Sequence, residues 1–233
     1  MKQINQTFDW FKCLFNFAPL KNKTLEHSTD QKILFTAEKL FAEKGFYATS
    51  TRDIAKSAGV NVSMISYYFG SKEKLFEEIF KVRMKEGQSY ATEILENKEI
   101  NEWEKLIRII ENYIKRVKTL PEFYTILQSV HTTESVGNEQ ILSFLRTSKI
   151  GYLKIYQRIL EEGFENGVFT KKPDLFFLHS VIIGTVFYSK QGMNLYQELS
   201  GNYTDEFYEN HYKELTINLT SLLKDLLGYE QKN

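Results

Sequence analysis

At 233 residues the chain can hold one large domain or two modest ones, and 42% hydrophobic with 26% charged residues describes an ordinary globular protein, not a disordered one. Thirty basic residues balance thirty acidic ones, so no overall charge points to nucleic acid and any basic surface must be local. The single cysteine, Cys13, excludes an intrachain disulfide and reads as a small apolar filler with no metal-ligand spacing around it.

The longest apolar stretch, Leu175 to Tyr188, is interrupted by His179 and Ser180 and is too short to cross a bilayer. Phe8 to Leu20 is aromatic but carries Asp9 and Lys12 and lacks a small-residue cleavage site, which argues against a secretory signal. A cytoplasmic protein is the expectation.

Three prolines (Pro19, Pro121, Pro173) and a recurring 3.6-residue period predict an all-α fold of about nine helices, three short and then six in a larger bundle. Residues 1–28 read as an extension of net charge +2, from Lys2, Lys12, Lys21 and Lys23 against Asp9 and Glu26. An arm touching DNA, a flexible tail and a start site placed too early are all compatible with it. Residues 29–74 read as a first domain and 75–230 as a second.

Ser28-Thr29-Asp30-Gln31 has the spacing of a capping box, and the helix after it carries an apolar stripe of Ile33, Ala37, Leu40 and Phe41. Ser50 caps a short helix through Ala58 by accepting from the Asp53 amide, Asn61 caps the next, and Ser71 the one after. Further stripes follow: Leu75, Ile79 and Val82; Trp103 to Val117; Phe123, Leu127 and Val130 after Pro121; and a long helix from about Asn138 to Glu165. The last two helices run from Pro173 to Lys190 and from Asp205 to Leu227, with Gly192 to Tyr203 expected as their connecting loop.

The most informative segment is Thr51 to Tyr68. Ala55 is small where two helices would cross closely, Gly59 permits the positive φ of a tight turn, and Ile54, Ala58, Val60 and Ile65 point inward. Val62, Ser63, Met64, Ser66 and Tyr67 are then left outward, able to enter a major groove. A helical hairpin inside a core would satisfy the same pattern, so the flanks matter. From Lys44 to Lys74 five basic residues (Lys44, Arg52, Lys56, Lys72, Lys74) face two acidic ones (Asp53, Glu73), a local charge of +3.

Phe41-Ala42-Glu43-Lys44-Gly45-Phe46, Ser50 to Lys56, Ala58-Gly59-Val60 and Tyr68-Phe69-Gly70-Ser71-Lys72-Glu73-Lys74-Leu75-Phe76 together resemble the N-terminal domain of the TetR/AcrR family of repressors. The resemblance covers about residues 29–80. It implies a DNA-binding role in which Ser50 and Arg52 lie at the phosphate edge. Val62, Ser63, Met64, Ser66 and Tyr67 would face the groove, and Tyr68 and Lys72 would clamp phosphates. Relatives often carry Lys, Gly, Thr and Tyr within the recognition helix, where this chain has Val62, Ser63, Met64 and Ser66. With no Arg, Asn or Gln there, bidentate reading of purines is excluded, leaving thymine methyls, hydroxyl contacts and DNA shape.

Beyond residue 80 the resemblance thins to helix order and the segment Leu160 to Phe169. It implies that the last two helices form a four-helix interface with a second copy. Leu215, Leu219, Leu222, Leu223 and Leu226 make a stripe that fits, and Gly184 permits close approach, although two interior helices would show the same pattern. Trp103, Phe123, Tyr124, Tyr152 and Tyr156 fall on helices that surround a ligand pocket in similar proteins; aromatic residues at helical spacing are also what a plain core contains. No cofactor and no metal are expected, His131 and His179 being isolated. No nucleophile–base pair, paired acids or phosphate loop suggests an enzyme. The expected function is a homodimeric repressor on double-stranded operator DNA, released by a small hydrophobic effector. The alternative is a DNA-bound scaffold of the same fold that recruits a protein partner.

Overall fold

The computed structural model describes residues 28–132 and 139–230; among them there are ten helices and no strand. The extension through residue 27, with Cys13, and the side chain of His131 lie outside the described residues. Helices α1 (Thr29–Lys44), α2 (Thr51–Ala58) and α3 (Val62–Phe69) form an N-terminal unit. The others are α4 (Lys72–Glu96), α5 (Glu102–Thr119), α6 (Pro121–Thr132), α7 (Glu139–Glu165), α8 (Leu175–Gln191), α9 (Met193–Ser200) and α10 (Asp205–Leu227).

Local chemistry sets most of the helix starts. Ser50, Asn61, Ser71, Asn101, Asp174 and Thr204 each accept a hydrogen bond from a first-turn amide. Ser28 does not: it precedes α1 without a side-chain cap, so the expected box with Gln31 is absent. Water can satisfy amides at that exposed end.

The N-terminal unit is joined to the bundle in two ways. α1 buries Ile33, Ala37, Leu40 and Phe41, with Leu34 added, and packs along α6 and α4. α4, 25 residues and so about 37 Å long, begins at the N-terminal unit and runs into the bundle, where it buries Ala91, Ile94 and Leu95. A chain of aromatic rings follows the same route. Phe46 meets Phe76 at 4.8 Å between centroids, Phe76 meets Phe80 at 5.2 Å, Phe80 meets Phe123 at 5.8 Å, and Phe123 meets Tyr124 at 5.2 Å. The first contact is tilted and the other three edge-to-face; they add to the burial of these large rings and make the junction a packed core.

Two expectations about the C-terminal region need correction. Gly192 to Tyr203 is not simply a loop, because Met193–Ser200 is helical. Gly192 sits in the right-handed helical region (φ −74°, ψ −7°), so it turns the chain without ending it, and Met193 anchors α9 in the core. The leucine stripe of α10 is also divided. Leu219 and Leu223 are buried within their own chain, Leu215 and Leu226 are half-buried, and Leu222 is exposed. Since 23 residues of α10 wrap both a core side and an open side, a stripe read by spacing alone spans the two.

Between α8, α9 and α10, His211 Nε2 lies 2.5 Å from the Ser189 hydroxyl, with its ring against Tyr196 and Tyr212. Burial holds the His211 pKa below the ordinary histidine value, and His179 is depressed by burial and then by the charge of Lys149. A depressed value means that the unfolded chain binds protons more readily than the folded one, so stability rises with pH across the window below about 6.5. The melting temperature is therefore expected to fall as pH is lowered from about 7 to about 5.5, and His211→Gln to remove part of that slope. A flat profile for the wild-type chain, read by circular dichroism, would contradict the burial of both rings.

Candidate nucleic-acid interface

The turn between α2 and α3 is built as its sequence requires. Gly59 has φ 67° and ψ 34°, the left-handed region that costs a residue with a Cβ about 1 kcal/mol or more. Its neighbour Val60 donates to the Ala55 carbonyl at 3.0 Å. Ile54, Ala55 and Ile65 are buried, with Ala58 and Val60 packed beside them, so α3 is held at a fixed angle on α2.

What α3 then presents is specific. Val62, Ser63, Ser66, Tyr67 and Tyr68 are exposed, Tyr67 at 78% the most of the large side chains, and Tyr67 packs edge-on against Tyr68 at 5.0 Å. Met64 departs from the expected outward set: it is half-buried and packs against the core. Asn61 fixes the helix start by accepting from both the amide and the hydroxyl of Ser63, at 2.9 Å each.

At the flanks the side chains are partly committed to the protein itself. Ser50 Oγ donates to Asp53 at 2.6 Å while accepting from its amide at 3.1 Å. Those bonds, from the Ser50 side chain first and its backbone second, hold the Asp53 carboxyl below its usual pKa, with Lys44 and Lys56 assisting. Asp53 therefore stays ionised beside exposed Arg52. Lys72 needs a larger correction. Its Nζ donates to the carbonyls of Phe46 and Thr49, at 3.0 Å each, and lies 4.2 Å from the centre of the Phe46 ring. Rather than reaching out freely as a phosphate clamp, Lys72 ties the α1–α2 loop to the start of α4. Its amine lies on the Thr49 carbonyl, one residue before Ser50. Sequence reasoning passed over Tyr47, which is exposed in that loop and packs edge-on against Phe46 at 5.4 Å. An aromatic residue in an otherwise turn-like segment after Gly45 was the available signal.

The arrangement is a protruding helix with an apolar, hydroxyl-rich face, bordered by cations and held to a long helix leading into a bundle. A family model for the bacterial regulatory proteins of the tetR family matches residues 33–79. The probable transcriptional regulator YttP of Bacillus subtilis is 34% identical over 140 residues, covering 58% of this chain and 65% of its own length. The transcriptional repressor NicS of Pseudomonas putida is 31% identical over 159 residues, covering 66% of this chain and 71% of its own. The chain belongs to the tetR family. The overall fold agrees: the transcriptional regulator FadR of Bacillus subtilis, solved in complex with stearoyl-CoA, superposes with a TM-score of 0.63 over 82% of this chain and 96% of FadR, at 22% identity.

In this tetR-family chain the five aromatic residues singled out in the bundle do not form one group. Trp103 stacks on Tyr229 at 4.5 Å and 12°, near the start of α5. Phe123 is 1% exposed and serves as a link in the ring chain between the two units. Tyr124, Tyr152 and Tyr156 do cluster, and Tyr113 joins them, its ring 5.9 Å from Tyr124. Burial raises the pKa of all four phenols, that of Tyr152 to about 12, so they remain neutral donors at any physiological pH. Arg116 adjoins this group; its charge and a hydrogen bond oppose the rise at Tyr124.

Proposed function

We propose that the protein is a homodimeric transcriptional repressor that binds double-stranded operator DNA through α2 and α3 and is released by a small, largely apolar effector. The single observation carrying the DNA-binding part is the exposure of Val62, Ser63, Ser66, Tyr67 and Tyr68 on a helix pinned by a left-handed Gly59. A helix buried against its own bundle could not enter a groove. Ser50, Arg52 and Tyr47 border that helix and, with Tyr68 on it, meet phosphates.

Dimerisation draws support from the faces of α8 and α10 that their own chain leaves open. Phe176, Phe177 and Tyr188 on α8 and Ile217 and Leu222 on α10 are large and exposed. Phe177, Gly184 and Tyr188 share a helical face, and nothing lies within 4 Å of a Cβ placed on Gly184, so a second copy could approach closely there. Leu219 and Leu223 belong to the core and take no part in this interface. The effector half of the reading rests on the cluster of Tyr113, Tyr124, Tyr152 and Tyr156 and on the ligand complex of FadR. Among the described residues no helix is long and apolar enough to cross a membrane, and no group of His, Cys, Asp and Glu is placed to hold a metal.

Gel-shift assays on the DNA upstream of the protein's own gene, paired with selection from genomic fragments, test the reading. The expected result is binding by a dimer that weakens steeply as salt is raised. No specific fragment from either route, or a monomer at micromolar concentration, would overturn it.

A further inference from the structure

We infer that α8 and α9 act as one rod whose outer face pairs antiparallel with the same rod of a second copy. Tyr188 of each chain seats on Gly184 of the other, and Leu195 of each meets Phe177 of the other. The inference rests on the homodimer reading above and assigns its seam, including the short helix α9.

Gly192 bends the rod without breaking it. Its amide donates to the Tyr188 carbonyl and its carbonyl accepts from the Tyr196 amide, both at 2.9 Å, so helical bonding crosses the junction. Burial crosses it in the same register. Leu178, Ile182, Val186, Ser189 and Met193 are buried at helical spacing and form the inner face of the rod. On the outer face Phe177, Tyr188, Leu195 and Leu199 are 54%, 69%, 61% and 85% exposed, so the open stripe of α8 continues for two turns along α9. Phe177, Val181, Gly184, Tyr188, Gln191 and Leu195 alternate steps of four and three residues, the spacing with which two helices keep a common seam.

A second copy is the occupant that this stripe fits, because the stripe complements itself. In a twofold contact a residue that meets another is matched by the reverse meeting. With the axis level with Val186, residues equally far before and after that level face each other. The large Tyr188, two residues after it, then meets Gly184, two residues before it, where nothing lies within 4 Å of a Cβ and the notch stands open. Leu195 meets Phe177, Gln191 meets Val181, and Leu199 reaches the level of Pro173. A parallel pairing would instead set glycine on glycine and tyrosine on tyrosine, a void beside a clash. Charge agrees as well. Between Asp174 and Lys190 the sequence holds no Asp, Glu, Lys or Arg, and the Lys190 amine is turned to Thr125 of α6 at 3.1 Å. The seam therefore closes without burying an unpaired charge. On α10, by contrast, Ile217 and Leu222 share the surface with exposed Lys213, Glu214, Lys224 and Asp225, which suits a polar rim beside the seam.

The test uses the full chain, with the dimer constant read by sedimentation and helix content by circular dichroism. Leu195→Glu and Gly184→Leu should each weaken the dimer by about tenfold or more, since a twofold seam feels every change twice. Neither should lower the melting temperature of dilute, dissociated chains: Leu195 is exposed, and leucine favours a helix more than glycine does. The register is read by cross-linking on a Cys13→Ser background. Chains carrying both Phe177→Cys and Leu195→Cys should oxidise to covalent dimers, and chains carrying either one alone should not. Like positions of two chains, and the two sites of one chain, would stand about 27 Å apart, too far for a disulfide. No covalent dimer from the double variant, or equal yield from a single one, overturns the pairing. A wild-type dimer constant in Leu195→Glu removes α9 from the seam, and one in Gly184→Leu removes the notch; either overturns the inference. These failures in a chain that is still dimeric leave the homodimer reading standing, whereas a wild-type chain that stays monomeric at micromolar concentration ends both.

Discussion

Replacing Glu38 or Arg83 by alanine should each lower the free energy of unfolding by about 3–5 kcal/mol, among the larger losses available to a single substitution in this chain. Arg83 Nε donates to both Glu38 oxygens at 3.1 and 3.2 Å and Nη2 to one of them at 2.7 Å, with the two side chains only 12% and 6% exposed. Burial works against the Arg83 charge, yet hydrogen bonds and charge from Glu38, aided by Glu86, more than offset it and raise its pKa. Removing one partner leaves the other's charge in a site that cannot hydrate it. The double alanine variant should cost clearly less than the sum, and Glu38→Met combined with Arg83→Leu should recover much of the loss by filling the volume. The exposed pair Lys39–Glu43, at 3.9 Å, is the control: breaking it should change stability by less than about 0.5 kcal/mol. Urea unfolding reads all of these. A single-variant cost as small as the control's would show that the pair does not pin α1 to α4. Since α1 supports α2 and α3, operator affinity should fall with it.

Much of the N-terminal unit was legible because its rules are local. Ser50, Asn61 and Ser71 cap helices through bonds spanning two or three residues, and Gly59 answers to its own φ, so spacing alone identifies them. Met64 and Lys72 were misjudged for the opposite reason. Whether Met64 faces out depends on the rotation of α3 against α2, and the Lys72 amine bonds carbonyls 23 and 26 residues earlier. In the bundle, periodicity predicts which residues avoid water but not which neighbours they find. Trp103 and Tyr152 have the same character in sequence, yet one stacks on Tyr229 and the other fills the notch at Gly87. Thirteen residues along α5, about 20 Å, separate Trp103 from Arg116, so one wall could not include both. Arg116 carried no signal either, since it bonds a carbonyl 33 residues away and a carboxylate 30 residues away besides Tyr124.

On the DNA side, the substitution with the largest expected effect is Tyr67→Ala. Its ring is the most exposed large side chain of α3, supported by Tyr68 but burying little of the protein's own surface. Folding should therefore be almost indifferent to its loss, with the melting temperature unchanged within about 1–2 °C. Operator binding should not be. A lost groove contact costs about 1–3 kcal/mol in each half-site, and the twofold partner doubles that, giving a loss of roughly thirty- to twenty-thousand-fold in affinity. Because Tyr67 is uncharged, the dependence of affinity on salt should keep its slope. Arg52→Ala should show the complementary pattern. It removes one phosphate contact per half-site, so the slope should fall by about 2 for the dimer, with a smaller loss of discrimination between the operator and random DNA. The charge that Asp53 retains beside Arg52 predicts the reverse for Asp53→Asn: tighter binding to any DNA, a steeper salt slope and, with the capping bonds weakened, a slightly less stable α2. Titrations at several salt concentrations separate these effects. If Tyr67→Ala binds its operator as the wild type does, the exposed face of α3 is not what reads the groove.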